Sequence, residues 1–180
     1  SEIVARHPGL KVVFEHISSK EGVNFVASAK ENVAATITAH HLFLTEQDLH
    51  NPHHCCMPVP KTSEDRQAVV EATLSGNKKF FYGGDDAPHH RKTKEGVEKP
   101  TFGVWCGPTT LPLLIQFFES YNRLDLLEPF TSEFGAAFYG LSLNEETISF
   151  ERTTWDVPEN YADVVPFQAT KSLNWKLPSI

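Results

Sequence analysis

Lys11-Val12-Val13-Phe14-Glu15-His16-Ile17 is a short, nearly continuous apolar run rich in β-branched residues. That pattern marks a strand buried on both faces of a parallel sheet. Reading outward, Ser18-Ser19-Lys20-Glu21 offers a serine cap and a first-turn glutamate for a helix over 22–30. Val33-Ala34-Ala35-Thr36-Ile37-Thr38 reads as a second buried strand, and Lys79-Phe80-Phe81-Tyr82-Gly83-Gly84-Asp85 as a third. Between them the pattern predicts a helix over 63–75, with Ala68, Val69, Ala72 and Leu74 near one face and Gly76 as its stop. A strongly apolar helix follows over 108–121, with Pro112 near its first turn, and helical pattern continues over 124–135. Segments 40–61 and 89–102 read as polar loops, and the tail from Glu145 as irregular packing or short strands. Strands alternating with helices argue for α/β architecture with a parallel sheet. A doubly wound sheet and part of a (β/α)8 barrel both fit, and in either one ligands sit beyond the C-terminal ends of the strands.

Composition narrows the class. The 180 residues are 40% hydrophobic and 22% charged, as in an ordinary globular domain. A formal net charge of -7 argues against a nucleic-acid partner. No apolar run approaches the roughly 20 residues that span a bilayer, so no membrane partner is expected. Cys55, Cys56 and Cys106 are odd in number and two are adjacent, a poor disulfide framework that points to a reducing compartment such as the cytoplasm. The N-terminus has no signal-peptide layout and no initiator Met, which fits either a start inside a longer protein or removal of Met before Ser1.

The first strand runs into His16 and the third into Asp85. In a parallel sheet both would emerge at the same edge, and neutral imidazole with carboxylate suits Zn²⁺. Taken singly, a strand-end His is more often a hydrogen-bonded structural residue, and an Asp after glycines often only caps a turn. The stretch Gly83-Gly84-Asp85-Asp86-Ala87-Pro88-His89 adds weight. Its glycines permit close backbone approach, Pro88 stiffens the loop, and one acid on a metal with His89 toward substrate is a sensible division of roles. His50, His53 and His54 read as solvent-facing or loop-packing, and His40-His41 as ambiguous. His90, Arg91 and Lys92 form a basic patch, either a solvated loop or an attractor for an anionic substrate.

Several segments together resemble dihydroorotase, in the shorter single-function form of bacteria and fungi. They are His7 to Ile17, Ala34 to Leu42, Pro58-Val59-Pro60-Lys61, Gly84 to His89, and Phe134 to Leu141. The resemblance implies a metal-dependent amidohydrolase of (β/α)8 type, with residues 1–180 forming the C-terminal half of one barrel domain, about strands 6–8. The N-terminal half would be absent from the chain. It implies two zinc ions per complete site, His16 as ligand of one, and Asp85 as ligand of the other and general acid/base. It further implies His89 on the substrate carboxylate, and backbone groups near Met57 and Phe102-Gly103 along the edge of the ring. The reaction implied is reversible cyclisation of N-carbamoyl-L-aspartate to L-dihydroorotate in pyrimidine synthesis, in a cytoplasmic homodimer.

The chain departs from that pattern in places. The family's His-x-His pair, bridging lysine and strand-5 histidine have no counterpart here, so these residues alone are expected not to turn over substrate. Asp86 stands where Ser is usual and Gly84 where Thr is common, and Phe102 and Trp105 make the ring-contact loop more aromatic. Two other readings compete: a hydantoinase-like cyclic-amide hydrolase, and a non-catalytic homologue acting as an assembly partner.

Overall fold

The computed structural model describes residues 2–177. Its centre is a three-stranded parallel sheet in the order β1-β2-β3, formed by β1 (Val12–Phe14), β2 (Val33–Ile37) and β3 (Phe80–Tyr82). Val12 pairs with Val33, and Ala35 with Phe80. All five residues of β2 are buried, as expected of a central strand covered on both faces. The sheet is open at β1 and at β3, so the described residues form no closed barrel.

Short α1 (Glu2–Arg6) precedes the sheet and was not anticipated from sequence. The crossover β1–β2 contains α2 (Lys20–Ser28), whose first turn is capped by Ser19 Oγ accepting from the Gly22 amide at 3.1 Å. The crossover β2–β3 contains α3 (Ala39–Phe43) and α4 (Ser63–Leu74). Thr62 caps α4 by accepting from the Asp65 amide, and Asp65 in turn accepts from the Lys20 amide at 2.8 Å, tying α4 to α2. α2 and α4 match the predicted helices within two residues. Segment 40–61 differs from the loop expected: it opens with α3 and continues in two short 3-10 turns, over Glu46–His50 and Pro52–His54.

After β3 come α5 (Arg91–Lys94), α6 (Thr110–Ser120) and α7 (Phe134–Tyr139), then an antiparallel pair of β4 (Trp155–Asp156) and β5 (Ser172–Leu173). α6 buries Leu113, Leu114, Ile115, Phe117 and Phe118, and with the sheet it anchors one continuous core. Gly140 ends α7 in the left-handed conformation, φ 74°, which spares the Cβ strain any other residue would meet. Leu141, Leu143 and Ile148 beyond it remain exposed. Two recesses of about 250 and 380 Å³ lie along α6 and the 143–150 segment, and neither is lined by His16, Asp85 or His89.

Candidate functional site

The sheet brings His16 and Asp85 to its C-terminal edge, with His16 Nε2 3.7 Å from Asp85 Oδ1. His16 follows β1 by two residues and Asp85 follows β3 by three, so both sit on the connecting loops just past the strands. Both have positive φ, 56° and 46°, a conformation L-residues with a Cβ adopt at a cost. Two such residues facing each other at one sheet edge are the kind of stored strain that marks functional sites.

Hydrogen bonding around His16 defines the chemistry it presents. Thr36, on the central strand, accepts from the His16 amide at 2.7 Å and donates its hydroxyl proton to Glu15 Oε2 at 2.6 Å. His16 Nδ1 lies 3.4 Å from the same hydroxyl oxygen. Thr36 thus anchors the backbone and the Nδ1 side of the ring, leaving the Nε2 edge turned toward Asp85. The Nε2 edge and the carboxylate oxygen face each other at a distance that an Nε2 proton or a shared metal cation would bridge. Two donors about 2.1 Å from one tetrahedral zinc lie about 3.4 Å apart, close to the separation found. The pair therefore fits a zinc-class ion or ion cluster.

A second group lies against this one. His40, His41 and Cys56 are buried, and their ligand atoms fall within 4.8 Å of one another, so they too could hold a metal. His41 is already engaged at both ring nitrogens, with Nε2 donating to the Pro58 carbonyl at 2.8 Å and Nδ1 accepting from Thr38 Oγ1 at 2.7 Å. His40 Nδ1 is 3.6 Å from Cys106 Sγ, and its Nε2 is buried with no partner. Burial, reinforced by His41, His16 and His54, pulls the His40 pKa down to about 2. Burial pushes the Cys56 thiol up to about 12, with Asp85 adding to the shift. His40-His41, ambiguous in the sequence, are thus core residues, and no local signal distinguishes them from the exposed His50 a few residues on.

The remaining predicted residues surround the pair. His89 Nε2 donates to the Phe102 carbonyl at 3.0 Å, joining the Asp85–His89 loop to the 102–104 segment. Met57 and Phe102 are 59% and 58% exposed, unusual for large apolar side chains beside such a cluster. Gly103 has φ 146°, and a Cβ there would stand 2.6 Å from Ala87 Cβ, so only glycine fits. Asp86 accepts from the Cys106 amide at 2.7 Å, spending its carboxylate on the backbone. The basic patch at 90–92 is largely compensated rather than free. Arg91 pairs with Glu95 and with Glu159, at 3.1 and 2.8 Å, and His90 lies 3.4 Å from Asp163.

No family model matches the chain. Individual proteins do. It is 43% identical to a dihydroorotase of Methylobacillus flagellatus, covering 97% of this chain and 53% of that protein. It is 42% identical to one of Coxiella burnetii, covering 98% and 53%. The chain therefore spans about half the length of the curated relatives it matches. Among solved structures, a Saccharomyces cerevisiae dihydroorotase in complex with 5-fluoroorotic acid superposes with TM-score 0.88 at 33% identity, over 98% of this chain and 54% of that one. A Campylobacter jejuni dihydroorotase gives 0.89 at 35%, over 99% and 54%. An L-hydantoinase of Arthrobacter aurescens gives 0.80 at 18% identity over 97% and 44%, a likeness of fold alone. The similarity covers nearly the whole chain, extending beyond Leu141, the last residue of the segments that carried the resemblance.

Proposed function

We propose that this chain, homologous to dihydroorotases over about half their length, forms the C-terminal half of such an enzyme's barrel and works in the reversible cyclisation of N-carbamoyl-L-aspartate to L-dihydroorotate. Its fold is that of the amidohydrolase barrel superfamily, present here as an open sheet. In this reading β1, β2 and β3 are strands 6, 7 and 8, and residues 1–180 belong to one domain completed by an N-terminal half. The observation that carries the reading is the convergence of two positive-φ residues, His16 and Asp85, at one sheet edge.

His16, held by Thr36, and Asp85 are the metal-holding residues of a two-zinc site: the family resemblance gives one to each ion, while their 3.7 Å separation also suits donors to a single ion. Bound zinc would polarise the ring amide carbonyl and lower the pKa of water at the site. Asp85 accepts the proton of the attacking water and passes it to the departing ring nitrogen, and runs the same transfer backward in ring closure. His89, fixed by its bond to the Phe102 carbonyl, faces the substrate carboxylate. Backbone groups at Met57 and Phe102-Gly103 line the ring edge. The other half supplies the remaining metal donors, so the 180 residues alone are inactive, and the complete enzyme works as a cytoplasmic homodimer.

Sequence identity of 42–43% to dihydroorotases, against 18% to the hydantoinase, favours this substrate over other cyclic amides. The test is turnover of L-dihydroorotate and of a hydantoin by the protein joined with a complementary half. Dihydroorotate should be the better substrate and Asp85→Asn should abolish its turnover. Full activity in Asp85→Asn would overturn the catalytic reading, and a preference for the hydantoin would overturn the substrate assignment.

A further inference from the structure

Lys94 ends α5 and is 3% exposed, although Arg91 and Lys92 on the same turn reach solvent. Lysines are rarely buried so fully without a carboxylate, because desolvating an ammonium costs several kcal/mol. Among the described residues no carboxylate pairs with it. Its ammonium instead donates to the Gly103 carbonyl at 2.5 Å and to the Cys55 carbonyl at 3.4 Å. The Cys55 carbonyl also accepts from the Gly103 amide at 2.8 Å. One node therefore clamps residue 55 to residue 103.

What this clamp holds is specific. Exposed Met57 lies two residues past Cys55, and exposed Phe102 immediately precedes Gly103. The Phe102 carbonyl in turn accepts from His89, and the Ala87 amide donates to the Val104 carbonyl at 3.0 Å. Three segments, 55–57, 85–89 and 102–104, thus meet above a single buried cation. Burial draws the Lys94 pKa below its ordinary value, opposed only by the neighbouring Cys55 and Cys56.

We propose that Lys94 is a positioning residue for substrate. It locks the Met57 and Phe102 loops in register with His89, beneath the surface where an anionic ring substrate docks. This deepens the dihydroorotase reading and rests on it. Lys94 touches no reacting atom, so its loss acts on binding rather than on chemistry.

The experiment is steady-state kinetics in the complete, active enzyme containing these residues, with N-carbamoyl-L-aspartate as substrate and bound zinc measured alongside. Lys94→Met should raise KM about tenfold while kcat stays within about threefold and bound zinc is unchanged. Lys94→Gln keeps two N–H donors on a shorter side chain and should recover part of that loss, leaving KM about two- to fivefold above the parent. An unaltered KM in Lys94→Met, a fall in kcat or zinc instead, or a Gln variant as impaired as Met would overturn the assignment. If Lys94→Met does not fold, Lys94→Gln decides: a raised KM at parental kcat supports the role and a parental KM refutes it. A parent enzyme without dihydroorotase turnover would bring down the functional reading and this inference with it, whereas an active parent indifferent to both variants refutes this inference alone.

Discussion

Replacing His40 by glutamine isolates the cost of keeping an imidazole neutral in the core. His40 is fully buried, its Nε2 has no partner, and burial draws its pKa from about 6.5 to about 2. A histidine with a depressed folded-state pKa contributes its full stability above the unfolded value. That stability is lost as pH falls below about 6.5, because only the unfolded chain takes up the proton. At 1.36 kcal/mol per pH unit, His40 alone should remove about 2 kcal/mol of stability between pH 7 and pH 5. The result is insensitive to the folded value, since pH 5 lies well above about 2. Glutamine is neutral throughout and of similar size. Urea unfolding of both proteins at pH 7, 6 and 5, with chelator present, reads the difference directly. His41 and His54, whose pKa values burial also lowers, are common to both proteins and cancel. The stability gap between parent and His40→Gln should shift by about 2 kcal/mol toward the variant across that range. Curves that stay parallel would refute the buried, neutral imidazole.

Other perturbations follow from single contacts. Thr36→Val keeps the shape of a 4% exposed side chain but removes the acceptor for the His16 amide and the partner of its Nδ1, so zinc affinity in a chelator competition should fall by about 10- to 100-fold. Gly103→Ala would drive a Cβ to 2.6 Å from Ala87 and 2.9 Å from the His89 ring, so the 102–104 segment must move. Unfolding should show a loss of about 1–3 kcal/mol, and an unchanged midpoint would contradict the packing. Phe118→Ala empties a fully buried site on α6 against Phe117 and Phe130 and should cost about 3–5 kcal/mol in the same measurement.

The parallel sheet was legible because buried strands write themselves as unbroken β-branched runs, and Val33–Ile37 is such a run. His16 and Asp85 could be singled out because strand ends of a parallel sheet share one edge, so two distant positions become neighbours by topology alone. What the sequence concealed depends on tertiary burial. His40 and His41 sit in a polar-looking stretch, yet α3 turns them under the 56–58 segment, where His41 braces Pro58. Arg91 looked available to an anionic substrate because its partner Glu159 lies far along the chain. Lys94 lies just past the 90–92 basic patch and drew no reading of its own, because only the fold shows the two carbonyls that receive it. Short α1 carries no amphipathic stripe long enough to register.

The central claim is that His16 and Asp85 grip metal together. Anomalous scattering at the zinc edge from zinc-loaded crystals of the complete barrel locates the ions without reference to activity. The account predicts zinc density with His16 Nε2 and an Asp85 carboxylate oxygen each about 2.0–2.2 Å from an ion of the cluster. Zinc held only by His40 and Cys56, with His16 and Asp85 left without an ion, would contradict it.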